Sequence, residues 1–353
     1  MSDTTTILHD TANRLFSDSI TPGDLARAAS GDWLQTQWQQ LEELGLTLAL
    51  VPENAGGAGL EAADALGLVR LAGYHGVPLP LPETLLASWL LANAGLPVLE
   101  GPLTIAPAHQ AEPLRLERTG EGWRLRGELS RVPWARHAAG IAALADHDGQ
   151  PMVCLLTPDG YTLDHAVNLA REPRDTVQVN CALQGAHVAA APDGFGPQQL
   201  QAAGAALRAL AMAGTIDRVL TMSVNYANER KQFGRPIGKF QAVQQNLAVL
   251  ASQAAAAGAA SDIAAEAFGT TPDLLAIAVA KVRTGEAAGS AASTAHQVHG
   301  AIGFTEEHSL HFFTKRLWSW RDEFGREAEW NRLVGEQAAH AGADGLWPLI
   351  ASV

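Results

Sequence analysis

Three textures follow one another along the chain. From about Thr5 to Leu99 the apolar residues recur at helical steps. Leu34, Trp38, Leu41 and Leu44 fall three or four apart, and Gly45 follows as a stop signal. Leu48-Ala49-Leu50-Val51-Pro52-Glu53 then leads into the loop Asn54-Ala55-Gly56-Gly57-Ala58-Gly59. A second helix is predicted from Glu61 to Ala72, and Pro78, Pro80 and Pro82 punctuate the chain before a third begins near Glu83. From about Pro102 to Pro192 the segments shorten, with turn residues every eight to twelve positions. Trp123-Arg124-Leu125-Arg126-Gly127, Gly140 to Ala145, Met152 to Leu156 and Thr176 to Val179 read as strands. That spacing predicts a small antiparallel sandwich or barrel, with Asp146-His147-Asp148-Gly149 and Pro158-Asp159-Gly160 as turns. After Pro197 the pattern is helical again: Leu200 to Arg230, Phe240 to about Phe268, Asp273 to His299, and a fourth helix beyond Ser309. The expectation is an α+β chain of three parts: an N-terminal helical domain over 1–101, a middle β-domain over 102–196, and a C-terminal four-helix bundle over 197–353.

Composition narrows the function. Of 353 residues, 47% are hydrophobic and 17% charged, ample for a buried core. Lys plus Arg is 24 and Asp plus Glu is 37, a net charge of −13, so a nucleic-acid backbone is excluded as the expected partner. All four lysines, Lys231, Lys239, Lys281 and Lys315, come late in the chain, where any anion is expected to be met. Cys154 and Cys181 both sit in strand-like contexts and form no CxxC pair. They read as two reduced, buried thiols of a cytoplasmic protein. The polar opening Met1 to Asp10 predicts no secretory leader. No uninterrupted apolar run reaches the ~18–20 residues of a membrane span, and the richest stretch, Leu85 to Leu99, is interrupted.

Several motifs carry little chemistry. Gly56-Gly57-Ala58-Gly59 lacks the Lys-Ser/Thr ending of a phosphate loop and the spacing of a dinucleotide fingerprint, so it reads as a structural turn. No GxSxG elbow occurs. His296 and His299, and His308 and His311, are spaced to share a helix face. No carboxylate or cysteine completes a zinc set, and no metal is expected.

Three segments stand out. Asn228-Glu229-Arg230-Lys231-Gln232-Phe233-Gly234-Arg235-Pro236-Ile237-Gly238-Lys239-Phe240-Gln241 packs cations and amides around glycines and a proline. It reads as a turn offering a guanidinium and other donors to an anion. Gln297-Val298-His299-Gly300-Ala301-Ile302-Gly303-Phe304-Thr305 ends a long helix, with glycines that permit close backbone approach. Arg316 to Gly325 mixes aromatics, arginines and adjacent carboxylates. An apolar cleft there would raise a carboxylate's pKa and suit it to accept a proton.

Together these segments, with Leu41-Glu42-Glu43-Leu44-Gly45 and Val51-Pro52-Glu53 upstream, resemble the acyl-CoA dehydrogenase family over nearly the whole chain. The resemblance implies FAD, an acyl-CoA substrate, an electron-transfer flavoprotein as acceptor, and a tetramer built from dimers. Arg230 and Gln232 would meet the FAD pyrophosphate, and Phe240 and Gln241 its adenosine half. Gln297 and Gly300 would approach FAD held mainly by a neighbouring subunit. The family removes the acyl α-proton with a carboxylate while the β-hydride moves to flavin N5, which introduces an α,β double bond.

This sequence departs from the pattern at the base. The usual glutamate lies about twenty-one residues past the glycine of the Gly-Phe pair, which here is Phe324, before Gly325. The nearest carboxylates are Glu323 and, second, Asp322. The rarer location, about twenty-nine residues before the Phe-Gly pair, falls on Gly204 between Ala203 and Ala205. The family's flavin-contacting Thr-Glu…Gly-Ser stretch is replaced by Thr104-Ile105-Ala106-Pro107-Ala108-His109-Gln110-Ala111-Glu112-Pro113, and its Trp-Ile-Thr segment by Val132-Pro133-Trp134-Ala135. The block from Leu317 to Gly325 resembles a divergent subgroup that includes subunits of heteromeric dehydrogenases for steroid-like or cyclic acyl-CoAs. Three readings follow: a dehydrogenase subunit with Glu323 as base, a catalytically silent partner in a heterotetramer, or a flavin monooxygenase or oxidase on the same fold.

Overall fold

A computed structural model describes residues 3–108, 112–120 and 122–352. Met1 and Ser2 of the polar opening, and His109-Gln110-Ala111 of the stretch that replaces the flavin-contacting motif, lie outside them. The N-terminal part contains α1 (Asp3–Ser19), α2 (Pro22–Ala29), α3 (Gln35–Glu43), α4 (Ala62–His75) and α5 (Leu81–Asn93). Trp38 and Leu41 are buried as their spacing predicts, but Leu44 is 42% exposed, because helix α3 ends one residue before it. The glycine loop after Val51 folds on itself. Gly57 N–H donates to Pro52 O and Gly59 N–H to Val51 O, so these amides point inward rather than at a ligand.

The middle part is a sheet of β1 (Leu103–Ile105), β2 (Leu114–Thr119), β3 (Gly122–Pro133), β4 (Gly140–His147), β5 (Gln150–Leu156), β6 (Tyr161–Asp164), β7 (Arg174–Leu183) and β8 (Val188–Ala190). The strand order is β6-β7-β3-β2-β4-β5-β8, with β1 beside β4. The antiparallel expectation needs correction at one seam, since β4 runs parallel to both β1 and β2. Instead of pairing with β3, β4 returns to the free edge of β2, and two reversals restore the original direction. Alternation decides which core each side chain joins. Ile141, Ala143, Cys154 and Leu156 fill the sheet's own core, while Ala142, Val153 and Leu155 face the helices. Cys154 and Cys181 are free thiols. Cys154 is buried, and burial pushes its thiol up to about 12, whereas Cys181 is only partly buried.

The C-terminal part opens with α6 (Pro197–Glu229), followed by the short hairpin β9 (Lys231–Gln232) and β10 (Arg235–Pro236), then α7 (Gln241–Glu266) and α8 (Leu274–His299). The single helix expected beyond Ser309 is two, α9 (Leu310–Trp320) and α10 (Glu327–Ala351). The turn between them holds Phe324 and Gly325 at positive φ, 52° and 94°, which no helix continues through. Alanine richness has a packing reason. A Cβ on Gly73 of α4 would lie 2.2 Å from Ala211 O, and one on Gly214 of α6 would lie 1.9 Å from Arg70 O, so α4 and α6 cross backbone to backbone. One apolar core therefore joins both helical parts. α7 is the helix among the described residues long and apolar enough, by length and composition, to cross a bilayer. Its alanines are interleaved with glutamines and serines, so no uninterrupted run betrays it, and it packs on α6 and α8 through Leu250, Ala254 and Ala257.

Candidate functional site

At the junction of the three parts lies a buried chain of alternating charges. Arg208, midway along α6, donates from Nη2 to Glu83 Oε1 of α5 at 2.6 Å and from Nε to Glu323 Oε2 at 2.7 Å. Arg174, at the start of β7, donates from Nε to Glu323 Oε1 at 2.8 Å and from Nη2 to Glu323 Oε2 at 3.0 Å. It also reaches Glu172 Oε2 at 3.1 Å, and Glu172 in turn accepts from Arg316 Nε at 2.9 Å and Trp320 Nε1 at 3.0 Å. On one side of this network, between Glu83, Arg208, Trp134 and Trp320, lies a cavity of about 20 Å³, and on the other a cleft of about 220 Å³ that Arg174 and Glu323 line.

Glu323 lies in the turn between α9 and α10, in surroundings unlike the apolar cleft expected around a base. Burial alone would raise its pKa, yet the Arg174 and Arg208 guanidiniums, with hydrogen bonds from Arg174 and Asn168, hold it down at about 2. Both oxygens are already occupied by donors. A general base needs a pKa near its working pH and a free lone pair, and Glu323 has neither. Asp322 has a half-exposed side chain, 3.7 Å from Arg326, at the cleft of about 220 Å³ that Arg174, Glu323 and Phe324 also line, so it lacks the dry slot expected of the base.

The two positions at which the family resemblance leads one to expect a base meet in space. A Cβ on Gly204 would lie 2.1 to 2.4 Å from the Phe324 ring, so the phenylalanine seats on the bare glycine backbone of α6. The ring is buried, and the Arg208 guanidinium lies 5.6 Å from its centroid. The turn is pinned on both sides. Trp330 Nε1 donates to Phe324 O at 3.0 Å, and the buried Lys281 ammonium donates to Arg321 O at 2.7 Å and Gly325 O at 2.8 Å. Burial lowers the Lys281 pKa to about 8. Sequence reasoning missed Arg208, Glu83 and Arg174, and Lys281, expected among the lysines that meet an anion, is instead buried on two backbone carbonyls. A signal existed for two of them: Arg208 interrupts the alanine run of α6, and Glu83 stands among the leucines opening α5, where only a paired charge is tolerated.

The remaining expected residues gather at the end of the bundle away from that junction, in two groups. Arg230, Gln232, Phe240 and Gln241 flank the β9–β10 hairpin. Its turn, Phe233-Gly234, has positive φ at both residues, 51° and 82°, as a type I′ turn requires. Phe233 is 91% exposed, and the Arg235 guanidinium stacks 4.3 Å from the Phe240 centroid. Gln297 and Gly300 lie one turn apart on the exposed side of the end of α8. Tyr226 of α6 stacks on His299 of α8 at 4.5 Å and brings the two groups to the same end. Among the described residues, Arg230, Lys231, Arg235 and Lys239 form no ion pair. Four exposed cations, two amides and an open glycine therefore fit an extended dianionic ligand such as a dinucleotide pyrophosphate. Two of the spaced histidines are held within the protein. His296 is buried, stacked on Phe304 at 4.2 Å and hydrogen-bonded to Thr314 Oγ1, and burial lowers His299 to about 4. No group of three candidate ligands occurs among the described residues.

Comparison with known proteins extends the picture. The family described as "Acyl-CoA dehydrogenase, C-terminal domain" matches residues 199–320. The acyl-CoA dehydrogenase IpdE2 of Mycolicibacterium smegmatis is 30% identical over 322 residues, covering 90% of this chain and 93% of that protein. IpdE2 of Mycobacterium tuberculosis is 29% identical over 313 residues, covering 88% and 89%. Among solved structures, the ChsE4-ChsE5 complex from Mycobacterium tuberculosis superposes with a TM-score of 0.85 at 23% identity, over 97% of this chain and 99% of that one. A Tcur3481-Tcur3483 steroid ACAD variant does so with a TM-score of 0.83 at 25% identity, over 97% and 99%.

Proposed function

The chain belongs to the acyl-CoA dehydrogenase family, and from that premise we propose that it is a subunit of an FAD-dependent acyl-CoA dehydrogenase that helps to hold the cofactor but leaves proton abstraction to a partner chain. One observation carries this reading. Both places where the family sets its base are occupied by Phe324 seated on Gly204, and the neighbouring Glu323 is clamped between two arginines. The silent-partner reading is thereby favoured over the one in which Glu323 acts as base.

When bound, FAD supplies the acceptor for the hydride that leaves the acyl β-carbon. This chain's own residues do the binding. Arg230, Lys231 and Gln232 offer charge-assisted donors to the pyrophosphate, and the Arg235–Phe240 pair offers a flat face to the adenosine half. Gln297 and Gly300, on the same end of the bundle, approach FAD across the subunit boundary. At the other end, the arginine-clamped carboxylates and the Phe324 ring leave a cavity of about 20 Å³ on one side and a cleft of about 220 Å³ on the other, and neither presents an unpaired carboxylate in a dry slot. On this reading the acyl-CoA meets its base on the partner, whose carboxylate takes the α-proton. The subgroup resemblance and the steroid-acting structural relative support a bulky, cyclic acyl group. An electron-transfer flavoprotein would be the acceptor that the family resemblance implies.

The test is flavin content with and without a homologous partner. The chain purified alone is expected to be colourless or substoichiometric in flavin. Co-expressed with a family member that carries the base, it is expected to yield a flavin-loaded, active heteromer. Stoichiometric flavin on the chain alone, bleached anaerobically by an acyl-CoA, would overturn the proposal. Oxygen-coupled hydroxylation would point instead to the oxidase reading.

A further inference from the structure

Four histidines meet where α8 hands over to α9, and the proposed chemistry uses none of them. The connecting segment opens with the 3-10 turn Gly300–Phe304 and runs to Ser309. Rings hold it to the bundle. His299 of α8 is 3% exposed, stacked on Tyr226 of α6 at 4.5 Å and set steeply against the His308 ring at 4.8 Å. Phe304 stacks on His296 at 4.2 Å, and His296 on Trp318 at 5.6 Å. Hydrogen bonds fix the protons of the two facing rings. His299 Nδ1 must donate, because its partner is the Ala295 carbonyl at 2.8 Å, so Nε2 carries a bare lone pair. That atom is buried with no hydrogen-bond partner. His308 has the opposite tautomer. Its Nδ1 accepts from the Leu310 N–H at 3.1 Å and so caps the first turn of α9. His311 Nδ1 donates back to His308 O at 2.8 Å.

A second proton is poorly received on either ring. On His299 it would make a buried N–H with no acceptor, and on His308 it would take the lone pair that caps α9. Two cations would then face each other with ring centroids 4.8 Å apart. The titratable groups that face the pair are Tyr226 from α6, His296 from α8 and His311 from α9. Glu306 and Glu307 in the segment, Lys315 on α9, and Glu229 and Arg230 at the end of α6 form no ion pair among the described residues, and Arg316 is turned into Glu172. α7 carries no charge from Gln241 to Ser261, and α10 brings Glu327 to α8 only at Gly285, about four turns away. The C-terminal end of α8 and the Ala295 carbonyl favour a cation at His299. Burial outweighs both and leaves it at about 4, and burial also lowers His296 and His308. We propose that His299 and His308 form an acid-operated latch: neutral, they hold the 300–309 segment on Tyr226 and on α9, and protonated, they release it. The segment carries Gly300, so the bearing of the latch on FAD rests on the reading above, whereas the latch itself belongs to this chain alone.

Hydrogen exchange of the full chain, read by mass spectrometry and corrected for intrinsic rates, tests the latch without flavin or partner. A histidine that titrates near 6.5 when released and near 4 when held stabilises the closed segment fully above about pH 6.5 and loses that hold as pH falls toward 4. Its opening constant therefore rises about thirtyfold between about pH 7.5 and about pH 5. Peptides spanning 300–311 are expected to lose protection by about that factor. Peptides around Arg208 are expected to keep theirs, because Glu323 stays ionised throughout. His299→Phe keeps a ring on Tyr226 but takes no proton, and is expected to abolish most of the acid loss. His308→Asn keeps an oxygen for the Leu310 N–H without titrating. It is expected to reduce the loss too, and keeps the proposal testable if the first variant misfolds. Equal protection of 300–311 at both pH values, an unchanged loss in both variants, or a loss shared by the Arg208 peptides would overturn the proposal.

Discussion

Glu323 shows how neighbours decide what a carboxylate can do. A glutamate in a dry aromatic cleft would rise toward neutrality, whereas this one shares its oxygens with Arg174 and Arg208 and sits at about 2. The same contacts make it a stability element with a predictable pH window. Unfolded, the carboxyl titrates near 4.5 and folded near 2, so its contribution is complete above about pH 4.5 and is lost as pH falls toward 2. At 1.36 kcal/mol per pKa unit that is about 3 kcal/mol. Urea midpoints measured between pH 6 and pH 2.5 are expected to fall more steeply in the native chain than in Glu323→Gln. Arg208 anchors the other end of the network. Arg208→Met would leave Glu83 and Glu323 facing each other without their shared cation, and is expected to cost about 3–5 kcal/mol in chemical denaturation. A loss below about 1 kcal/mol would show the network to be dispensable. None of this partnering was legible in the sequence. It spans residues 83, 174, 208 and 323, drawn from α5, β7, α6 and the α9–α10 turn, and only the oddity of Arg208 and Glu83 in apolar runs hinted at it.

Among the elements, α6 and the β9–β10 hairpin carry the two ends of the account. Along α6 the chain uses glycine where something must come close: Gly214 to the backbone of α4, and Gly204 to the Phe324 ring. Gly204→Ala would drive a methyl group into that ring and is expected to cost about 1–3 kcal/mol by overpacking, read as a lowered melting temperature. Exposed hairpin residues should behave differently. Arg230→Ala is expected to leave the melting temperature of the apo chain unchanged while weakening FAD binding by the heteromer about tenfold, as measured by flavin fluorescence. The helices of both ends and most strands were legible, because their apolar periods differ. What escaped was set by tertiary contact. The return of β4 to the free edge of β2 leaves no trace in local periodicity. The α9–α10 break rests on positive φ at a phenylalanine, which composition does not announce. The hairpin was legible as a turn, since Phe233-Gly234 sits between amides and cations that have no apolar face to bury.

At the scale of the whole molecule, the opposed ends of the chain have opposite characters. One end presents unneutralised cations, an exposed aromatic pair and an open glycine, on a protein whose net charge is −13. On the proposed reading such a surface is half of a cofactor site. The other end, where the three parts meet, is filled by paired charges and a phenylalanine. If that reading holds, a chain with a cofactor-facing surface and a junction whose central carboxylate is clamped by arginines is suited to work beside another subunit rather than alone. The measurement that tests this most directly is anaerobic reduction of the flavin-loaded heteromer by acyl-CoA, with and without Glu323→Gln in this chain. The account predicts that the flavin band bleaches at the same rate in both, because the proton goes to the partner. It predicts further that removing the partner's carboxylate abolishes bleaching. Loss of bleaching in Glu323→Gln with flavin content and folding intact would contradict it.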